Sequence, residues 1–255
     1  MLKDKINARE KTTGFLVNFC DVGVAKLAGC AGYDLVWIDM EHSPLTYEQL
    51  LAQVIAVRST GTAAIVRAPQ NDLTAAKKIL ETGPDGIIFP MIRSVEDAKR
   101  MISNTLYPPY GERGFGPQNA INYGFIDPME FMRTNHETMC RFIQIEHKDA
   151  VECLDGLLEI PYIDGYIFGP NDLAGSYGIP GQVFDDRITK IITDVTQRIH
   201  DAGRYVGLAT GDTSDATLKH WISTGIDMLV AGSDFDVLRT SSLENRKNLQ
   251  KLLGI

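Results

Sequence analysis

The sequence lacks the features that would place it in a membrane, on nucleic acid or outside the cell. Across its 255 residues there is no N-terminal apolar h-region and no uninterrupted apolar run of the roughly 18 residues a membrane helix needs. The expectation is a cytoplasmic chain with neither signal peptide nor membrane span. Basic charge is in deficit: 25 Lys+Arg against 33 Asp+Glu give a net charge of −8. No basic stretch is interleaved with aromatics, which argues against nucleic acid or an anionic membrane as partner. Cysteine is sparse. Cys20, Cys30, Cys140 and Cys153 show no CxxC spacing, and three of the four sit in apolar contexts, which reads as a reduced chain. There is no N-x-S/T acceptor, P-loop, GxGxxG or HExxH, so the sequence advertises no familiar nucleotide or zinc-protease site.

What is present is a regular alternation. Short apolar runs read as strands at Gly14–Asn18, Tyr33–Asp39, Thr62–Arg67, Gly86–Pro90, Cys140–Ile145, Asp164–Phe168, Tyr205–Ala209 and Asp227–Ala231. Segments with helical spacing follow them: Val22–Ala31, Tyr47–Arg58, Leu73–Glu81, Val95–Asn104, Asp149–Ile160, Asp185–Ala202, Ser214–Thr224 and Ser233–Lys251. Strands that are continuous apolar runs are buried on both faces, as in parallel sheets. Eight such units at this length predict one closed (β/α)8 barrel spanning residues 1–255, with an open doubly wound sheet as the alternative. The residues through Lys11 read as a short polar helix. Two connections, Leu106–Glu137 and Gly169–Val183, are too long to be mere links, and loops of that length are usually lids or binding segments.

The stretch Arg141–Leu173 reads as strand, helix, strand, a crossover that joins parallel neighbours and brings both strands out at one edge of the sheet. Glu146 therefore lies near Asp172 at the carboxyl edge, where parallel sheets place their ligands. Gln144 precedes Glu146 by two residues, and Gly169-Pro170 stiffens the approach to Asn171 and Asp172. Two converging carboxylates point to a divalent metal. Taken singly, a Glu just past a strand is more often solvated or paired, and an Asp after Gly-Pro often caps a helix.

Other strand ends supply further candidates. Strand two delivers Asp39, Met40, Glu41 and His42. An Asp and a His three apart across a turn can bond, which makes His42 a candidate base and Asp39 its partner; a capping role for His42 is the alternative. Arg67 ends a buried run and must reach the barrel mouth, to hold a substrate carboxylate or oxyanion, to pair with a nearby acid, or both. Arg113 either reaches the site or orders the long loop. His136, His147, His200 and His220 read as solvated, Trp37 and Trp221 as packing residues, and Tyr107 and Tyr123 as loop anchors. None of the 12 lysines falls at an inward strand position, so imine chemistry has no candidate and metal activation of a carbonyl is the more economical reading.

In this order, AGYDLVWIDMEHSP, VRAP, YPPYGERGFGP, QIE and FGPNDLAGSYG resemble the HpcH/HpaI family of metal-dependent pyruvate aldolases, from about Gly14 to Leu238. The resemblance implies a (β/α)8 barrel, often a hexamer built as a trimer of dimers, with the last helix (about 233–251) exchanged between partners. It implies Glu146 and Asp172 as ligands of Mg²⁺, Mn²⁺ or Co²⁺, Arg67 on the pyruvyl oxygen, His42 paired with Asp39 as base, and Gln144 in support of the bound substrate, with Asn171 beside it. Three departures stand out: Leu16 where some members carry an aromatic, LETG with Glu81 in place of LDAG, and GPND in place of GPAD.

The chemistry that follows is cleavage of a 4-hydroxy-2-oxo acid to pyruvate and an aldehyde. On this resemblance a metal held there would supply Lewis acidity toward the keto group, Arg67 would stabilise the enolate, and His42 would take the 4-hydroxyl proton. An oxaloacetate decarboxylase would use the same enolate, a CoA-thioester lyase would need a basic nucleotide cleft, and a non-catalytic barrel would be expected to have lost some of these residues.

Overall fold

The computed structural model describes all 255 residues, 1–255. Eight parallel strands close in sequence order, β1 pairing with both β2 and β8. They are β1 (Thr12–Val17), β2 (Leu35–Asp39), β3 (Ala63–Arg67), β4 (Gly86–Phe89), β5 (Cys140–Ile145), β6 (Gly165–Phe168), β7 (Tyr205–Thr210) and β8 (Met228–Ser233). Between them run α2 (Val22–Cys30), α3 (Tyr47–Arg58), α4 (Leu73–Glu81), α5 (Val95–Ser103), α6 (Pro128–Thr138), α7 (Lys148–Glu152), α8 (Leu154–Leu158), α9 (Pro170–Ser176), α10 (Asp186–Asp201) and α11 (Asp215–Ser223), with α1 (Leu2–Asn7) before the barrel and α12 (Asp234–Leu253) after it. The closed barrel is the architecture expected, and the open sheet is excluded.

Side-chain alternation divides the apolar residues into two clusters. Val36, Ile38, Val66, Ile87, Phe89, Ile143 and Ile145 face outward and pack under the helices. Leu35, Trp37, Ile65, Ile88, Phe142, Ile167 and Val230 fill the barrel interior. Leu2 and Ile6 of α1 join that inner cluster and close the amino end. Lys3 of the same helix donates to Asp164 Oδ1 at 2.6 Å and to Met139 O at 3.0 Å. A segment that reads as polar in sequence is thus the plug of the barrel, because two apolar residues four apart suffice for one turn of helix.

Helices begin where the sequence provides caps: Asp21, Thr46, Asp72, Ser94 and Ser214 each accept a backbone N–H of the first turn. Three elements depart from the expected reading. The helix expected over Asp149–Ile160 breaks at Cys153 (φ −98°, ψ 15°) into α7 and α8. The connection 106–137 runs into α6, which buries only Asn135 and so carries no apolar stripe to reveal it. The connection 169–183 contains α9, whose Pro170 starts the helix rather than breaking it.

A polar cluster around the buried Asp227 ties the amino ends of β7 and β8. The Asp227 carboxylate accepts from Val206 N at 3.2 Å, His200 Nε2 at 2.9 Å and Lys11 Nζ at 3.0 Å. Burial works to raise its pKa, but Lys11 and His200 outweigh burial and hold it below its ordinary value of 3.8. A depressed folded-state value gives stability that is present above the ordinary value and lost as pH falls through the folded one. Asp227→Asn is therefore expected to cost about 1–3 kcal/mol at pH 7, measured by urea unfolding, with the difference from wild type shrinking on acidification below the ordinary carboxylate range.

Candidate active site at the carboxyl edge

Two adjacent strands end with opposite charges side by side. Asp39 closes β2, Arg67 closes β3, and the two are in register. Arg67 Nε donates to Asp39 Oδ1 at 2.9 Å and Nη2 to Oδ2 at 2.6 Å, a bidentate pair with Asp39 fully buried and Arg67 nearly so. Asn18, just past β1, donates its Nδ2 to Asp39 Oδ2 at 3.0 Å, and Glu41 N donates to Oδ1 at 2.9 Å. The loop carrying Asn18 is itself fixed by Asp234, whose carboxylate accepts the N–H groups of Asn18 and Phe19. The Arg67 guanidinium lies 5.2 Å from the Trp37 ring centroid, a cation–π contact within the barrel. Burial works to lower the Arg67 pKa, while Asp39 and Glu41 outweigh it and hold it above its ordinary value.

Across the mouth stand Gln144 and Glu146, two residues apart at the end of β5 and hence on one face. Gln144 Nε2 donates to Glu146 Oε2 at 2.7 Å, and Gln144 Oε1 accepts from Arg67 Nη1 at 3.4 Å. Glu146 Oε1 accepts Met91 N at 2.6 Å. Met91 achieves this with a φ of 47°, a left-handed conformation that costs a non-glycine residue on the order of 1–3 kcal/mol and recurs at ligand sites. Glu146 is 1 % exposed; burial pushes its carboxyl up to about 7, with the Met91 N–H pulling the other way. Gly169 stands beside it: a Cβ at that position would lie 2.4 Å from Glu146 Oε2, so only glycine leaves the carboxylate its place.

Asn171 and Asp172 follow on the first turn of α9, both exposed. Together with Leu16, Trp37, Arg67 and Glu146 they line a cavity of about 180 Å³. A larger cavity of about 580 Å³ lies at the opposite, amino-terminal face. There Arg58 and Lys5 are paired with Asp85 and Asp34, and no unpaired chemistry converges, so the smaller cavity is the candidate site.

Asp39, Arg67, Gln144, Glu146, Asn171 and Asp172 thus gather at one edge. The expected Asp39–His42 pair does not form. Asp39 has its oxygens filled by Arg67, Asn18 and Glu41 N, whereas the His42 side chain is 64 % exposed with Nε2 3.8 Å from Glu41 Oε2. His42 still lines the cavity. Arg113 orders its loop rather than this mouth: it pairs with Glu81 at 3.2 Å and lies 4.6 Å from the Tyr107 ring. Tyr123 is exposed and anchors nothing. The other histidines are not free in solvent. His136 stacks on Tyr110 at 4.0 Å, His147 accepts Asp149 N, His200 bonds Asp227 and His220 bonds Thr189.

Three contributors escaped the sequence reading. Asn18 and Glu41 were visible only as polar residues at strand ends, and their partners depend on neighbouring strands. The Met91 N–H is a backbone group with no side-chain signal at all.

Known proteins share this arrangement of chain. Over 246 residues the chain is 31% identical to the 2-keto-3-deoxy-L-rhamnonate aldolase of Salmonella typhi, covering 96% of this chain and 90% of that one. It is 30% identical to the hydroxypyruvate/pyruvate aldolase of Roseovarius nubinhibens, covering 92% of this chain and 91% of that one. The crystal structure of an HpcH/HpaI aldolase from Desulfitobacterium hafniense superposes with a TM-score of 0.90 at 27% identity, covering 98% and 96% of the two chains. Residues 14–238 match the family model described as HpcH/HpaI aldolase/citrate lyase, and over that span the chain belongs to this family and is a lyase of the aldolase type.

Proposed function

We propose that the chain cleaves a 4-hydroxy-2-oxo acid to pyruvate and an aldehyde, using a divalent cation (Mg²⁺, Mn²⁺ or Co²⁺) held by Glu146 and Asp172. The observation that carries this reading is the Arg67–Asp39 clamp facing the Gln144–Glu146 pair across one small cavity at the carboxyl edge. The residues fit a hard cation. Glu146 is a buried carboxylate that forms no ion pair with a cation of the chain, its donors being Met91 N and Gln144 Nε2 while Arg67 is bidentate on Asp39. No group of three or more His, Cys, Asp or Glu side chains forms a closed metal cage. Two carboxylates leave coordination positions for a 2-oxo acid and water, as such cations accept. When bound, the cation supplies Lewis acidity toward the 2-oxo group.

The chain's own residues supply the rest. Asp39, itself held by Asn18, fixes the guanidinium of Arg67 with Nη1 turned toward Gln144, placed to donate to the oxygen where negative charge develops as the C3–C4 bond breaks. Gln144 fixes the Glu146 carboxylate by its own hydrogen bond. His42, exposed at the rim, takes the proton of the 4-hydroxyl as the aldehyde leaves, and that proton balances the one gained at C3 as pyruvate forms. Leu16, Ala209 and Val230 give the cavity an apolar wall. The test is a panel of 4-hydroxy-2-oxo acids, 2-keto-3-deoxy-L-rhamnonate among them, assayed for pyruvate release with Mn²⁺. Turnover of at least one is expected; none, with oxaloacetate decarboxylated instead, would move the reading to the decarboxylase.

A homo-oligomer in the cytoplasm is part of the same reading. No helix is long and apolar enough to cross a membrane, and all four cysteines are free thiols, of which only Cys140 is fully buried. Along α12 only Asp234 is buried, while Phe235, Val237, Leu238, Leu243, Leu249, Leu252 and Leu253 are exposed. An apolar face of this extent favours cover by a second copy, with the helix exchanged between partners in a hexamer built as a trimer of dimers. Light scattering is expected to give a multiple of the monomer mass; a clean monomer at micromolar concentration would contradict the assembly.

A further inference from the structure

Glu41 stands at the one part of the Arg67 guanidinium that Asp39 does not hold. Nε and Nη2 both donate to Asp39. Nη1 lies on the cavity side, 3.4 Å from Gln144 Oε1 and 2.7 Å from Glu41 Oε2. The approach of Glu41 is close but poorly directed: its Oε2 is buried and receives no well-formed hydrogen bond. The same oxygen lies 3.8 Å from Nε2 of the exposed His42. One carboxylate oxygen therefore sits between a fixed cation and an exposed imidazole, and is held firmly by neither. The Glu41 backbone, by contrast, is pinned through its N–H to Asp39, so any exchange between the two partners is a side-chain rotation.

We propose that Glu41 is a positioning residue that links the arrival of substrate to the placing of His42, an inference that deepens the aldolase reading and rests on it. The oxygen of a 2-oxo acid takes Nη1 of Arg67. The displaced Glu41 carboxylate passes to the imidazole and orients it toward the substrate hydroxyl. Asp39 is not paired with His42 in this structure: Arg67, Asn18 and the Glu41 N–H take up both of its oxygens. Nor does another side chain stand ready: the only carboxylate in ion-pair reach of His42 is Glu41.

The proposal gives Glu41 two opposed effects. As a competitor for Nη1 it weakens substrate binding; as the partner of His42 it speeds turnover. A part that merely supported the structure would do neither in opposition. The experiment compares Glu41→Gln, His42→Ala and the double variant with wild type, as the full chain with saturating Mn²⁺. Pyruvate affinity is read by calorimetry and kcat by pyruvate release. Glu41→Gln is expected to bind pyruvate roughly tenfold more tightly, the size of one nearby unit charge removed from a half-buried site, while its kcat falls about 10–100-fold. The double variant should keep the tight binding yet turn over no more slowly than His42→Ala, because the two residues act on one step. Unchanged or weaker pyruvate binding in Glu41→Gln would overturn the proposal, as would kcat losses that simply multiply. A wild-type protein with no Mn²⁺-dependent pyruvate release would overturn the aldolase reading itself, and this coupling with it.

Discussion

Arg67→Met is expected to abolish cleavage and to destabilise the fold by about 3–5 kcal/mol, the usual consequence of leaving a buried partner charge uncompensated. Asp39 has no exposure and loses both of its strongest donors. Stability and chemistry are separable here. Adding Asp39→Leu removes the stranded charge, so the double variant should recover most of the unfolding free energy in urea while remaining inactive. If the double variant recovered activity as well, Arg67 would be a structural residue only. Arg67→Lys should be almost as damaging to activity, because an ammonium offers no planar fork for Asp39 and cannot keep a donor directed into the cavity.

The second large effect belongs to His42. His42→Ala is expected to slow cleavage by roughly 10²–10⁴-fold, as for loss of a general base. The variant should unfold at the wild-type urea concentration, since the side chain is mostly exposed and packs against little. It should also bind Mn²⁺ as wild type does, because His42 is not among the proposed ligands. Unchanged cleavage would return His42 to the role of a surface residue on the loop before α3.

Much of this site was legible because a barrel translates sequence into position. Each continuous apolar run marks a strand, its end marks the carboxyl edge, and a spacing of two puts Gln144 and Glu146 on the same face. That is enough to gather Asp39, Arg67, Gln144, Glu146 and Asp172 without coordinates. What was not legible depends on register between strands. In sequence, Asp39 is three residues from His42 and 28 from Arg67; in the barrel it is level with Arg67, and a bidentate guanidinium outcompetes an imidazole at the rim. The same limit hid Asn18, which meets Asp39 only because β1 and β2 are neighbours. Elements without an apolar stripe were hidden for another reason. In α6 the exposed Met129 and buried Asn135 invert the usual pattern, and α1 looked polar because only Leu2 and Ile6 face the barrel.

The measurement that tests the central claim most directly is metal removal and return, with borohydride as a control. The account predicts that a chelator abolishes pyruvate release, that Mn²⁺, Mg²⁺ or Co²⁺ restores it, and that Glu146→Ala and Asp172→Ala lose the restoration while still unfolding cooperatively. It predicts no borohydride-trapped adduct with pyruvate, since no lysine lines the cavity to form an imine. Full activity in chelator, or a trapped mass increment on a lysine, would contradict it and leave Glu146 and Asp172 as merely structural or solvated acids.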